Sequence, residues 1–327
     1  MKKTILVFLV LILCLGAFVS CVDVNLETGS SEVPTEQSKP ESKPDVSEES
    51  LEVSSAADSS EESLPPPVYA PIYPENYEER VAYYTNYQLE ADVNDSYFNS
   101  SVFVGNSIML HYKNYVSSNR ASNSGLLGDA SFFAAASFSF YNNKNQNASQ
   151  ADCAWPSFRG EKMNITDAVG QMGVKTVYLS LMALNDIAMY KDGMTGVNET
   201  FNLFTALVNE LKTAYPNVNI AIMGNTYLHS SSNNMSHKLN NGSIHTFNTK
   251  VLDYCNQNGL DFIDVAYALI DDNGCLGTEF CSDVGAAVAC HLNQYAFNAW
   301  TEQLRDYADK KQNGRWANPT ELKGFSY

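Results

Sequence analysis

Positive charge is scarce in this chain of 327 residues: 20 Lys and Arg stand against 37 Asp and Glu, a formal net charge of −17. Phosphate binding needs a basic face, so no nucleic-acid partner is expected. Metal-ligating patterns are also missing. The 7 Cys and 5 His include no C-x-x-C pair and no closely spaced His pair, so neither a metal centre nor a cofactor is expected. No long apolar run follows the N-terminus, and no internal repeat is visible.

The N-terminus itself reads as an export signal. Lys2 and Lys3 precede the apolar run from Ile5 to Phe18, which is shorter than the ~20 residues a spanning helix needs. Phe18-Val19-Ser20-Cys21 resembles a bacterial lipobox, so residues 1–21 are expected to be a lipoprotein signal with Cys21 as the lipidation site. The plainer alternatives are ordinary secretion or an uncleaved anchor. Two acyl chains on a modified Cys21 would anchor the chain to the outer face of the bacterial cytoplasmic membrane.

Residues 22–67 are rich in Ser, Glu and Pro, with twelve acidic residues against Lys39 and Lys43. Such a segment cannot bury a core. It is expected to be an extended tether reaching at least ~35 Å. Residues 68–327 remain, enough for one α/β domain. Five cysteines fall in it. Cys255 lies on the apolar face of a predicted helix, while Cys153, Cys275, Cys281 and Cys290 compete for one or two disulfides that an exported setting permits, with no pairing set by the sequence.

Strand-like and helix-like periods alternate along this domain. Val102 to Gly105, Thr176 to Leu181, Asn217 to Met223 and Asp261 to Val265 read as strands. Phe204, Leu207, Val208, Leu211 and Tyr215 mark a helix that Pro216 ends, and Ile244, Phe247, Val251 and Cys255 mark one closed by Gly259. A last helix begins near His291 and buries Tyr295, Ala299, Trp300 and Leu304. This alternation predicts a parallel sheet with helices on both faces. Asn225 to Gly242 reads as a long loop, either a substrate wall or a plain surface loop.

Open α/β sheets build their sites outside the carboxyl ends of their strands. Ser107 sits at such an end, after the run Val102-Phe103-Val104-Gly105-Asn106, and is a candidate nucleophile. Alone, a serine at that address is more often a turn residue or helix cap. A nucleophilic serine needs a base and oxyanion donors. Asn185 in Leu184-Asn185-Asp186 offers an amide near the same edge, and His291 offers an imidazole at an element boundary. His111, His229, His237 and His245 read as surface or packing residues.

Gly105-Asn106-Ser107, Asn185-Asp186, and Cys281-Ser282-Asp283 followed by His291-Leu292-Asn293 together resemble the first, third and fifth blocks of the SGNH (GDSL-type) hydrolases. Asp95-Ser96-Tyr97-Phe98 and Phe132-Phe133-Ala134 resemble a bacterial branch of that family. The resemblance spans roughly residues 92–307. It implies a flavodoxin-like three-layer α/β/α sandwich with a parallel central sheet, no metal, and ester hydrolysis through an acyl-serine. Ser107 would be the nucleophile and His291 the base. The backbone N–H groups of Ser107 and Ser137 and the side chain of Asn185 would form the oxyanion hole.

The chain departs from the pattern at several places. Asn106 replaces the family's Asp, Ala183 a glycine, and Ser137 the second-block glycine. The family's acid lies three or four residues before the histidine, where this chain has Val288 and Ala287. Either an insertion lets Asp283, eight residues upstream, orient His291, or the acid is lost. Two functions follow. One is an exported, membrane-tethered serine esterase removing acyl, for instance acetyl, groups from cell-envelope or extracellular glycans. The other is a degenerate SGNH-like domain serving as a surface binding or adhesion lipoprotein.

Overall fold

The computed structural model describes residues 73–232 and 238–323. The expected signal with Cys21, the acidic segment 22–67 and His237 lie outside the described residues. In chain order the elements are α1 (Tyr77–Thr85), β1 (Ser101–Gly105), α2 (Ser107–Asn119), β2 (Ser131–Ala134), α3 (Phe140–Asn145), β3 (Ser157–Phe158), β4 (Glu161–Lys162), α4 (Ile165–Met172), β5 (Thr176–Ser180), α5 (Ala183–Met189), α6 (Gly193–Ala214), β6 (Asn219–Met223), α7 (Asn241–Asn258), β7 (Asp261–Ile263) and α8 (Gln294–Gln312). None of the described helices is long and apolar enough to cross a membrane.

Five strands make one parallel sheet in the order β2-β1-β5-β6-β7, and β3 and β4 pair separately as a small antiparallel hairpin. Numbered within the sheet, that order is 2-1-3-4-5. The fold is flavodoxin-like, the doubly wound sandwich the sequence predicts. Right-handed crossovers put the β1-to-β2 connection and the later ones on opposite faces, because the strand order reverses at β1. Accordingly α2 packs on α8, while α3, α4, α5 and α7 gather around α6.

Helix ends follow the local chemistry. α6 stops before Pro216, and Gly259 closes α7 in the left-handed region at φ 64°. α8 starts later than its periodicity suggests, because Asn293 is its cap, accepting from the N–H groups of Tyr295 and Ala296. His291 therefore lies in an extended run before the helix rather than on it. Val102, Phe103 and Val104 of β1 are all fully buried, as a central parallel strand requires. The Phe103 ring stacks on Tyr178 of β5 at 4.6 Å. Tyr178 is core, whereas Tyr215 and Tyr295 are only half-buried.

A buried ion pair ties the two ends of the domain together. Arg305 of α8 meets Asp95 in a fork, Nε to Oδ1 at 3.0 Å and Nη2 to Oδ2 at 2.7 Å, with both side chains about 5% exposed. Asp95 stands just before β1, whose end leads into Ser107, and Arg305 stands in the helix that follows His291. Removing one partner leaves a buried charge unpaired. Asp95→Ala should therefore lower stability by about 3–5 kcal/mol in denaturant unfolding. A loss under ~1 kcal/mol would mean that the pair does not hold these elements.

Candidate active site

The reversal of strand order at β1 opens a crevice at the carboxyl edge of the sheet, between β1 and β5. Gly105 pairs with Ala134, Val104 with Leu179 and Ser180 with Met223, so the loops after these strands leave the sheet at one level. Ser107 is the first residue of α2, directly above the end of β1. A Cβ at Gly105 would lie 2.5 Å from the Met109 Cβ, so only glycine lets the helix turn this close to the strand. Asn106 caps the helix through its side-chain oxygen, which accepts from the Ile108 N–H at 3.0 Å. A neutral amide oxygen serves that cap as a carboxylate would, which removes the objection to Asn in place of Asp.

Ser107 Oγ lies 2.9 Å from His291 Nε2, and His291 Nδ1 lies 2.7 Å from Asp283 Oδ2. The seven residues between acid and histidine are bridged by local pairing. Ser282 N–H donates to the His291 carbonyl at 2.8 Å, Cys281 bridges antiparallel to Leu292, and Asn293 N–H donates to the Phe280 carbonyl at 3.0 Å. Ser282 is thus the cross-strand partner of His291, and Asp283, the next residue, reaches back diagonally to the imidazole, with residues 284–289 looping out through Gly285 at φ 86°. Asp283 Oδ1 also accepts from the His291 backbone N–H at 3.1 Å and the Cys281 thiol at 3.2 Å. The carboxylate holds Nδ1 as the protonated nitrogen, which leaves Nε2 bare toward the Ser107 hydroxyl.

The loop after β6 supports this pairing. The His229 N–H donates to the Ala289 carbonyl at 2.9 Å, the Ala289 N–H donates to Ser232 Oγ at 2.6 Å, and the Leu276 N–H donates to the Leu228 carbonyl at 3.0 Å. The described part of this loop is therefore a buried buttress rather than a substrate wall. His229 bonds Thr278 and Ser231, and His245 bonds the Tyr227 hydroxyl, so both are packing residues.

Ser137, in the loop between β2 and α3, and Asn185, in the first turn of α5, follow strands that end at the same edge of the sheet. Asp186 stitches them, accepting from the N–H groups of Phe140 and Tyr141 at 2.9 and 3.1 Å. Burial pushes its carboxyl up to about 6, against the pull of these hydrogen bonds. Asn185 and Ser137 are themselves exposed, and no hydrogen bond links either to Ser107. Ser107 and Ser137 differ as donors. The Ser107 N–H, in the first turn of α2, has no intrahelical acceptor. Ser137 has φ 58°, the left-handed conformation that glycine adopts without cost. The glycine-like backbone is kept without the glycine. Ser137→Gly should therefore raise stability by roughly 1 kcal/mol in thermal unfolding. A destabilisation would show that the serine hydroxyl, rather than the backbone, matters here.

Three further groups adjoin the site. His111, one turn beyond Ser107 on α2, packs its ring 5.0 Å from that of His291. Burial first, and the neighbouring His291 second, hold its pKa below the ordinary histidine value. It was readable as a neighbour of Ser107 from the i, i+4 spacing alone. Cys281 and Cys290 flank Asp283. Burial pushes the Cys281 thiol up to about 11 and the Cys290 thiol up to about 12. No disulfide joins the five cysteines of the described residues, contrary to the expected bridges. The Cys281 thiol donates to Asp283, and the Cys275 thiol donates to the Asn273 carbonyl at 4.0 Å.

No family model and no curated protein matches the chain. Among solved structures it is similar to an acetyl xylan esterase, at 12% identity, covering 63% of this chain and 98% of that one with a TM-score of 0.45. It is also similar to a GDSL-like lipase from Bacteroides thetaiotaomicron, at 10% identity, covering 72% and 98% with a TM-score of 0.44. A third is a carbohydrate esterase family 3 protein from Talaromyces cellulolyticus, at 14% identity, covering 65% and 98% with a TM-score of 0.43.

Proposed function

We propose that this chain is a serine esterase of the SGNH type, exported and tethered through Cys21, that removes short acyl groups from cell-envelope or extracellular glycans. The observation that supports it most is the continuous relay from Ser107 Oγ through His291 to Asp283, at 2.9 and 2.7 Å. In this reading His291 Nε2 takes the Ser107 proton as Oγ bonds to the ester carbonyl carbon, and the carbonyl oxygen becomes an oxyanion. The N–H groups of Ser107 and Ser137 and the Asn185 amide receive that charge. His291 then protonates the departing alcohol, leaving an acyl-serine. Water attacks the acyl-serine, His291 takes its proton, and the free acid leaves with Ser107 restored.

The glycan and the surface location rest on residues 1–67 as an export signal and acidic tether, which would hold the site over the cell envelope. The relay is tested by treating the purified protein with a fluorophosphonate probe and mapping the adduct by mass spectrometry. Labelling at Ser107 is expected, with release of acetate from acetylated glycans. No adduct and no turnover of a short-chain aryl ester would favour the adhesion lipoprotein instead.

A further inference from the structure

We propose that Asp283, Cys290 and His291 form a site for a zinc-type divalent cation, and that the bound ion replaces the Asp283–His291 hydrogen bond and silences Ser107. The ligand atoms of these three side chains all lie within 4.8 Å of one another. Ligand atoms around a tetrahedral zinc lie roughly 3.3–3.8 Å apart, given metal–ligand lengths of about 2.0–2.3 Å, so the wider gaps must close by about 1 Å at most, while His291 Nδ1 and Asp283 Oδ2 must part by roughly 0.6 Å to admit the ion between them. The set is one thiolate, one imidazole and one carboxylate. Soft and borderline ligands of this kind suit zinc and select against magnesium and calcium. Cys290 is buried, while the His291 and Asp283 side chains are 31% and 23% exposed, so an ion can enter from solvent and keep water as its fourth ligand.

The consequence for the relay follows from the imidazole tautomer. At rest Nδ1 carries the proton and Nε2 is bare toward Ser107. An ion bound at Nδ1 takes that lone pair, so the ring's single proton moves to Nε2, and the Cys290 thiol releases its proton to solvent. Nε2 then donates toward Ser107 Oγ and cannot accept its proton. The chemistry of hydrolysis is blocked without any change of fold. The silencing rests on the esterase reading, whereas the ion site stands on its own geometry.

The test uses the reduced, metal-free full chain. Titration with Co²⁺ should give one equivalent of tetrahedral absorption with a thiolate-to-cobalt charge-transfer band, and Zn²⁺ should displace it. Cys290→Ala should lose that band and weaken Zn²⁺ at least about tenfold, while Cys281→Ala should retain the band. Turnover of an aryl ester should fall over the Zn²⁺ range that fills the site and return with a chelator. The Cys290→Ala protein, measured against its own zinc-free rate, should resist. Absence of the thiolate band, unchanged Zn²⁺ affinity in Cys290→Ala, or a Cys281–Cys290 disulfide in the isolated protein would overturn the ion site. Zinc binding that depends on Cys290 in a protein without turnover would support the site and overturn the silencing.

Discussion

Replacing Ser107 with alanine is expected to abolish fluorophosphonate labelling and to lower kcat by about 10⁴- to 10⁶-fold, the loss seen when the nucleophile of a serine relay is removed. The size of the effect comes from what cannot be substituted. Without Oγ no bond to the carbonyl carbon forms, and His291 Nε2 at 2.9 Å has no hydroxyl to deprotonate. What survives is stabilisation from oxyanion donors and binding alone. The same change should leave the fold almost untouched. Ser107 is the first residue of α2, half-buried, and the helix is capped by Asn106 rather than by Ser107. Thermal unfolding should shift by no more than a surface substitution does, within about 0.5 kcal/mol. Turnover that persists in a well-folded Ser107→Ala protein would move the chemistry elsewhere and leave the relay an accident of packing.

The parts of the site legible in the sequence are those set by local pattern. An unbroken apolar run ending in Gly-Asn-Ser identifies β1 and the address of Ser107, because the period of a buried parallel strand and the chemistry of a helix cap are both short-range. The alternation of elements likewise reaches the doubly wound sheet. Non-local contacts were not legible. The partnership of Asp283 with His291 depends on Ser282 pairing with His291 across a loop, a cross-strand register that spacing along the chain does not reveal. Reading His291 as the start of a helix obscured this, since an extended residue opposite Ser282 and a helical one present different neighbours. The buttress under residues 276–289 was hidden for the same reason: Asn225 to Ser232 look polar and loose in sequence, yet Asn225, Leu228, His229 and Ser232 each make a hydrogen bond to a distant part of the fold. Asn225 itself meets Asn248 of α7 at 3.0 Å in a buried amide pair.

Asp283→Asn offers the second large effect, about 10⁴ in kcat, and its size follows from the hydrogen bonds already committed at this side chain. Oδ1 accepts from the His291 N–H and the Cys281 thiol, while only Oδ2 faces Nδ1. An asparagine keeps its oxygen on those two donors, since turning the amide over would point NH₂ at them. Its NH₂ is then left facing His291 Nδ1, and that nitrogen must become the acceptor. The ring proton is driven to Nε2, where it blocks removal of the Ser107 proton. The asparagine protein should therefore fold normally, with an unfolding midpoint close to the parent, and yet be nearly inert. Asp283→Ala provides the contrast, because it abandons both Oδ1 contacts and should lose stability as well as activity while leaving the imidazole free to choose its tautomer. Turnover of Asp283→Asn within tenfold of the parent would mean that a serine–histidine dyad suffices. The short loop that brings Asp283 back to His291 would then hold a structural carboxylate rather than the acid of a triad.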